Sequence, residues 1–252
     1  MAYTGTTMRR IHSSAWGHAA LAVSLLCAAS SALAQALVVF PVNIQMQPGQ
    51  RATALTVTNR GTDATSIQLR AYSWNQTSGE DELLPSNEIL VSPPLATIPG
   101  GATQIIRVVL RHADEGKETT FRLIIDHIPP PATPGQVAVV LRLSLPIFVQ
   151  ATAQAHPRVE FHICHRADKT FLVARNLGGM HEVFRNVILT TKDGVKLNAE
   201  TNGSPYVLAG ATRQWQIVAN TVLTDGDTIE LNADVGAAKT KLQVPVSDEP
   251  HP

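Results

Sequence analysis

The stretch His-Ile-Cys-His places His162, Cys164 and His165 within four residues of one another, and these are side-chain types that bind soft metal ions or act as nucleophile and base. In an extended chain His162 and Cys164 share a face, because side chains alternate. A structural zinc site closes with four ligands, however, and no second half of matching spacing accompanies the triplet. Cysteine–histidine catalysis calls for a recognisable nucleophile context, which is missing too. The plain reading is of separate, buried strand residues, with no metal site and no catalytic residue. Two arginines raise a different chemistry. Arg122 sits in "TTFRLIIDHI" and Arg107 in "IIRVVL". A guanidinium among apolar neighbours needs a partner, and its planar fork suits a carboxylate held by two parallel hydrogen bonds. A solvated sheet face or an intramolecular ion pair would serve as well. Asn75-Gln76-Thr77 and Asn202-Gly203-Ser204 are formal glycosylation sequons that turn positions explain. Trp215, alternating in "GATRQWQI", reads as core.

These residues must be positioned by a chain of 252 residues whose first segment stands apart. Met8-Arg9-Arg10 supplies a positive start, "AALAVSLLCAASS" an apolar core, and Ala32-Leu33-Ala34 a small-x-small cleavage site. The expectation is a secretory signal over 1–34, a mature chain starting at Gln35, and no membrane insertion after cleavage, since no later stretch approaches about 20 apolar residues. Losing Arg9 and Arg10 and no acid turns a formal net charge of zero into −2. That balance argues against nucleic acid or another polyanion as partner. Cys27 leaves with the signal, so Cys164 stands alone and no intrachain disulfide can form. Stability then rests on hydrophobic burial.

From residue 36 the punctuation is that of an all-β protein. The runs "ALVVFPVNIQM", "RATALTVT", "TSIQLRAYSW", "TQIIRVVLR", "TTFRLIIDHI" and "QVAVVLRLSLPIFV" alternate with "QPGQ", "NRGTD", "NQTSGED", "IPGGA", "HADEGKE" and "PPPATPG". With a short strand near Ile89–Val91, about seven strands fill this half, the count of an immunoglobulin-like sandwich. "QATAQAHP" reads as a linker. After it "VEFHI", "TFLVARN", "VFRNVILTT", "PYVL", "RQWQIV", "TIELNAD" and "TKLQVPV" read as a second, shorter-stranded sandwich.

One strand is out of proportion. "QVAVVLRLSLPIFV" runs for fourteen residues, 136–149, against a usual strand of about six. Val137, Val139, Leu141, Leu143, Leu145 and Ile147 line one face, and Ala138, Val140 and Phe148 make the other largely apolar. Such a strand either fills its own core or offers an edge to another chain, where main-chain hydrogen bonds give affinity and alternate side chains give specificity. An edge of this kind would otherwise be an aggregation hazard.

The order "PVNIQMQPGQRATALTVTNRG", "VSPPLATIPGGATQIIRV", "FRLIIDHIPPP" and "VVLRLSLPIFV", with "ARNLGGMHEVFRNVIL" in the second half, resembles periplasmic chaperones of the chaperone–usher pilus pathway. The resemblance is nearest to the archaic branch that serves spore-coat-U-like and Csu-like pilins. It implies two immunoglobulin-like β-sandwich domains in a boomerang arrangement, at 35–150 and 155–249. It further implies a periplasmic protein that is no enzyme and needs no cofactor. Its partners would be pilin subunits lacking a final strand and an outer-membrane usher. In such a chaperone the last strand of the first domain is lent to the subunit, here through Val137, Val139, Leu141 and Leu143. The subunit carboxylate needs a cationic anchor, which in many members comes from an arginine on the first strand and a lysine late on the last. Asn43 and Pro146 stand at those places, so Arg122, then Arg107, are the substitutes. A rival reading from the sandwiches alone is a secreted adhesin or ligand-binding module working through its loops.

Overall fold

A computed structural model of the chain describes residues 37–77, 79–112, 116–129, 140–200, 204–218, 223–236 and 238–247. Every regular element among them is a strand. The first ten are β1 (Leu37–Phe40), β2 (Ile44–Met46), β3 (Ala52–Asn59), β4 (Thr65–Thr77), β5 (Glu80–Pro85), β6 (Ile89–Ser92), β7 (Leu95–Ile98), β8 (Thr103–Leu110), β9 (Thr119–Ile128) and β10 (Arg142–Val149). Eight follow: β11 (Val159–Arg166), β12 (Lys169–Asn176), β13 (Glu182–Thr190), β14 (Lys196–Glu200), β15 (Tyr206–Val207), β16 (Thr212–Val218), β17 (Thr228–Val235) and β18 (Ala238–Pro245).

The first sandwich is two sheets. One has the order β1-β3-β8-β6, the other β2-β10-β9-β4-β5, with β7 on β4. Alternation sends Leu55 and Val57 of β3 and Ile106 and Val108 of β8 inward, where they meet Phe121, Leu123 and Ile147 of the facing sheet in one core. Burying each such side chain stabilises by roughly 1.5–3 kcal/mol relative to exposure. The run 36–46, expected as a single strand, is divided. Pro41 has no N–H for a ladder, and over Pro41–Asn43 the chain changes sheets, so β1 pairs with β3 and β2 with β10.

The second sandwich is one sheet in the order β11-β12-β16-β14-β13-β17-β18, with β15 on β13. It curls until Ile163 and Val246 meet in a parallel bridge. Leu172, Leu189, Trp215, Leu231 and Val244 fill it. Three strands were not expected from the sequence, β5, β7 and β14; all are short, of four to six residues, and pair with longer ones. "NQTSGED", expected as a loop, supplies the end of β4 and the start of β5, because the hairpin between them is tight. Asn75, Gln76 and Thr77 therefore lie in a strand and not in a turn. Asn202 and Gly203 of the other sequon, the signal 1–34 and the tail 248–252 lie outside the described residues.

Residues 36–252 form one compact unit. The small-residue stretch after Val149 is tied down, since the Gly179 N–H donates to His156 O at 3.1 Å and the Leu177 N–H to Arg158 O at 2.8 Å. Gly178 lets these backbones approach: a Cβ there would stand 2.3 Å from His156 O. Trp74, Phe148 and Leu208 bury a third, smaller cluster that joins the two sandwiches.

Candidate functional site

On β9, Phe121, Leu123 and Ile125 point into the core, so Arg122, Ile124 and Asp126 share the outer face. The register sets Tyr72 and Pro146 beside Arg122, Arg70 and Ser144 beside Ile124, and Gln68 and Arg142 beside Asp126.

β10 follows β9 along its whole length, but on its other side it meets β2 only from Ile147 to Val149. Among the described residues, Arg142–Pro146 is thus an open sheet edge. The His127 N–H donates to Leu141 O at 2.9 Å, and in an antiparallel ladder bonded pairs alternate with non-bonded ones. Leu143 and Leu145 consequently bond to β9, while Arg142, Ser144 and Pro146 turn their main-chain groups outward. Pro146, which has no N–H, falls where β9 loses no bond by it. Leu141 is 38% exposed and Val140 58%. Leu143 is half-buried and packs on the first core. Val137 and Val139 lie outside the described residues. Val140 and Leu141 are described but precede the strand, so of the fourteen residues expected as one strand the structure shows eight, Arg142–Val149.

Arg122 is half-buried. Its guanidinium carbon lies 3.6 Å from the centre of the Trp74 ring and 5.4 Å from that of Tyr206. Such a contact is worth about 0.5–2 kcal/mol. Among the described residues Arg122 makes no hydrogen bond and no ion pair through its side chain. Burial pushes its pKa down, and Asp81 partly offsets this. Asp126, two same-face steps away at the far end of the open edge, is held between Arg142 Nε and Arg70 Nη2, each at 2.5 Å. The hydrogen bond from Arg142, and next that from Arg70, keep its carboxyl below the usual carboxylate range against a burial effect of opposite sign.

Of the other candidate anchors, Asn43 is exposed one residue before Ile44, whose register partner is Ile147. That places Asn43 at the closed end of the open edge, near the row of Pro146 and Arg122. Arg107 is exposed on the outer face of the other sheet, between Ala54 and Ser92. The register puts Asn43 and Arg122 in one row on the same face, with β10 between them, and leaves Arg107 on the other sheet. Cys164 is a buried thiol on β11, in no disulfide, and among the described residues no group of three or more His, Cys, Asp or Glu could hold a metal ion.

Side chains that the sequence reading did not single out fasten the sandwiches at the end of this face. Gln76 Nε2 donates to Tyr206 O at 2.8 Å and its Oε1 accepts from the Leu208 N–H at 2.9 Å. Arg213, 2% exposed, reaches Asp81 at 3.2 Å. Glu118 Oε2 accepts from the His181 N–H at 2.9 Å and meets its Nδ1 at 2.7 Å. The imidazole stacks on Phe148 of β10 at 3.6 Å. No periodic signal marks these groups, since each hydrogen-bonded or ion-paired partner lies more than 60 residues away. Glu118→Ala leaves two donors unpaired, at about 1–3 kcal/mol each. The expected result is a melting temperature about 5–12 °C lower in a calorimetric scan, with Glu118→Gln, which keeps an acceptor, losing less. A change under about 2 °C for the alanine variant would mean that the pair contributes little.

An open strand edge beside an apolar segment, with an unengaged guanidinium at its closed end, is a geometry for taking up an extended chain. Residues 36–153 match the family described as pili and flagellar-assembly chaperone, PapD N-terminal domain. The first sandwich belongs to that chaperone family. The chaperone protein FimB/FhaD of Bordetella pertussis is 27% identical over 135 residues, 51% of this chain and 54% of that protein. The match thus spans about half the length of this relative. Among solved structures, a chain of the CsuC–CsuE chaperone–tip adhesion subunit pre-assembly complex from the archaic Csu pili of Acinetobacter baumannii superposes with a TM-score of 0.66 at 21% identity. The superposition covers 85% of this chain and 100% of that one. A chain of the Salmonella enterica SafA pilin–SafB chaperone complex gives 0.57 at 15% identity, covering 84% and 97%. These likenesses establish the fold: two immunoglobulin-like β-sandwiches.

Proposed function

We propose that this chain is a periplasmic chaperone, of the archaic chaperone–usher kind, that binds, folds and caps pilus subunits lacking a final strand and passes them to an outer-membrane usher. The chaperone domain would be 35–150 and the second sandwich domain 155–249, behind a cleaved signal at 1–34. The observation that carries the reading is the open edge of β10 from Arg142 to Pro146. Its outward N–H and C=O groups can continue a ladder into a second protein, at a net gain of about 0.5–1.5 kcal/mol for each bond. Val137, Val139 and Leu141, with part of Leu143, would enter the subunit's groove. From Leu145 onward the strand closes this protein's own core.

The added strand has a direction. β2 occupies the edge from Ile147, so the incoming chain ends near Pro146, in the row of Arg122. With its carboxyl end there, it runs parallel to β10. Its last residues cross the outer face of β10 to reach Arg122, whose fork is free for a carboxylate. Arg122 is the proposed anchor, and Asn43, at the same corner, is a neutral donor across β10 from it. Arg107, on the other sheet, is too far removed to share this task. The family and fold are non-enzymatic in general, and this chain is read as acting without catalysis or cofactor. The test is co-production with the pilin-like subunit encoded in the same gene cluster. A 1:1 complex should be recovered from the periplasm, measured by light scattering. Equal recovery of folded subunit with and without this chain would refute the proposal.

A further inference from the structure

The Arg70–Asp126–Arg142 cluster is not used by the reading above, yet it lies on the same outer face and on the strand that forms the open edge. Both Asp126 oxygens are engaged, Oδ1 by Arg142 and Oδ2 by Arg70. Two guanidinium groups share one carboxylate, which leaves one positive charge uncompensated. The side chain of Arg142 is 66% exposed, and only its Nε is taken up by Asp126. The terminal fork is therefore free, and the Nε bond pins its orientation, which lowers the ordering cost of a further contact. The other charged groups on this face are Arg70, itself 43% exposed and committed to Asp126, Arg122 farther along the sheet, and, beyond Arg122, Asp81 paired with Arg213. No acid besides Asp126 pairs with either arginine of the cluster among the described residues. A strand laid on the open edge puts one of its outer-face side chains directly beside Arg142.

We propose that Arg142 is a specificity-determining residue that selects subunits carrying Asp or Glu at that position of the strand they lay on β10. The proposal rests on the strand-addition reading. Arg142 and Pro146 are two same-face steps apart on β10, so the acidic residue stands about four positions before the end of the partner chain. The two arginines also make the edge unfavourable for strands with a basic residue at that place, including stray copies of other exposed edges. Asp126 keeps the two arginines from repelling each other and orients Arg142.

The probe is a set of twelve-residue synthetic peptides of alternating Val and Thr ending in a free carboxylate, with Glu or Lys moved through each position. Binding to the purified chain is read by fluorescence anisotropy. One position, about four from the end, should prefer Glu over Lys by about five- to tenfold, and Arg142→Glu should reverse the preference there and nowhere else. Arg142→Ala should abolish the preference while leaving the fold, and serves if the glutamate variant does not fold. Equal affinity for Glu and Lys at every position, with binding still lost in Arg122→Ala, would overturn the selectivity and leave strand addition standing. If no peptide binds, both fall together.

Discussion

Subunit recovery is expected to fall at least about a hundredfold when Val139 and Leu141 are both replaced by aspartate. The proposed role of these residues is to fill an apolar groove in another protein. Each lost burial removes about 1.5–3 kcal/mol, so the pair removes about 3–6 kcal/mol, or two to four orders of magnitude in affinity. Desolvating the new carboxylates adds to the loss. The chain itself should hardly notice the change at Leu141, which is 38% exposed and precedes the first residue of β10. The measurements are subunit yield in a periplasmic pull-down and the melting temperature of the free protein. Unchanged yield would end the strand-donation reading. A changed melting temperature with unchanged yield would instead assign these residues to the protein's own core.

The second large effect is expected at Arg122. Replacing it by Met should weaken capture of a carboxylate-ended strand by about 10- to 150-fold, the loss of a hydrogen-bonded charge pair worth about 1.5–3 kcal/mol. Amidating the strand's C-terminus should weaken binding to the wild-type chain by a similar factor and do little to the variant. Stability should move the other way or stay level. Arg122 is half-buried and among the described residues makes no ion pair, Asp81 attracting it only at a distance, so an apolar replacement removes a desolvation cost as well as the stacking on Trp74. A functional residue that costs its own fold something is the usual signature of a site kept ready for a ligand. Equal affinity for amidated and free termini in the wild-type chain would remove Arg122 from the site. Arg122→Lys should restore only part of the binding, because an ammonium cannot offer two parallel bonds.

The strands were legible because their causes are local. Alternation in "RATALTVT" puts Leu55 and Val57 inward whatever they pack against, and glycine, proline and asparagine end such runs by their own backbone preferences. The same locality explains the misjudgements. Residues 75–77 have turn-prone side chains, but β4 continues through them since β5 returns alongside and supplies partners. The run 36–46 has strand residues throughout, but its middle proline divides it between two sheets. Arg122 was legible as an arginine out of place; its companions Trp74 and Tyr206 were not, being some 50 and 80 residues distant.

By itself, the amino-acid sequence determined that the chain is all-β and that Leu145 and Ile147 face inward. Those properties follow from side-chain period and turn chemistry. Only the tertiary structure decided that β2 pairs with β10 no earlier than Ile147, which among the described residues leaves Arg142–Pro146 open on that side. It alone set Arg122 on Trp74, joined Arg142 to Asp126, and sent Arg107 to the opposite sheet. Which strand lies beside which depends on how distant segments close on one another, and nothing in the period of a strand records what stands at its edge.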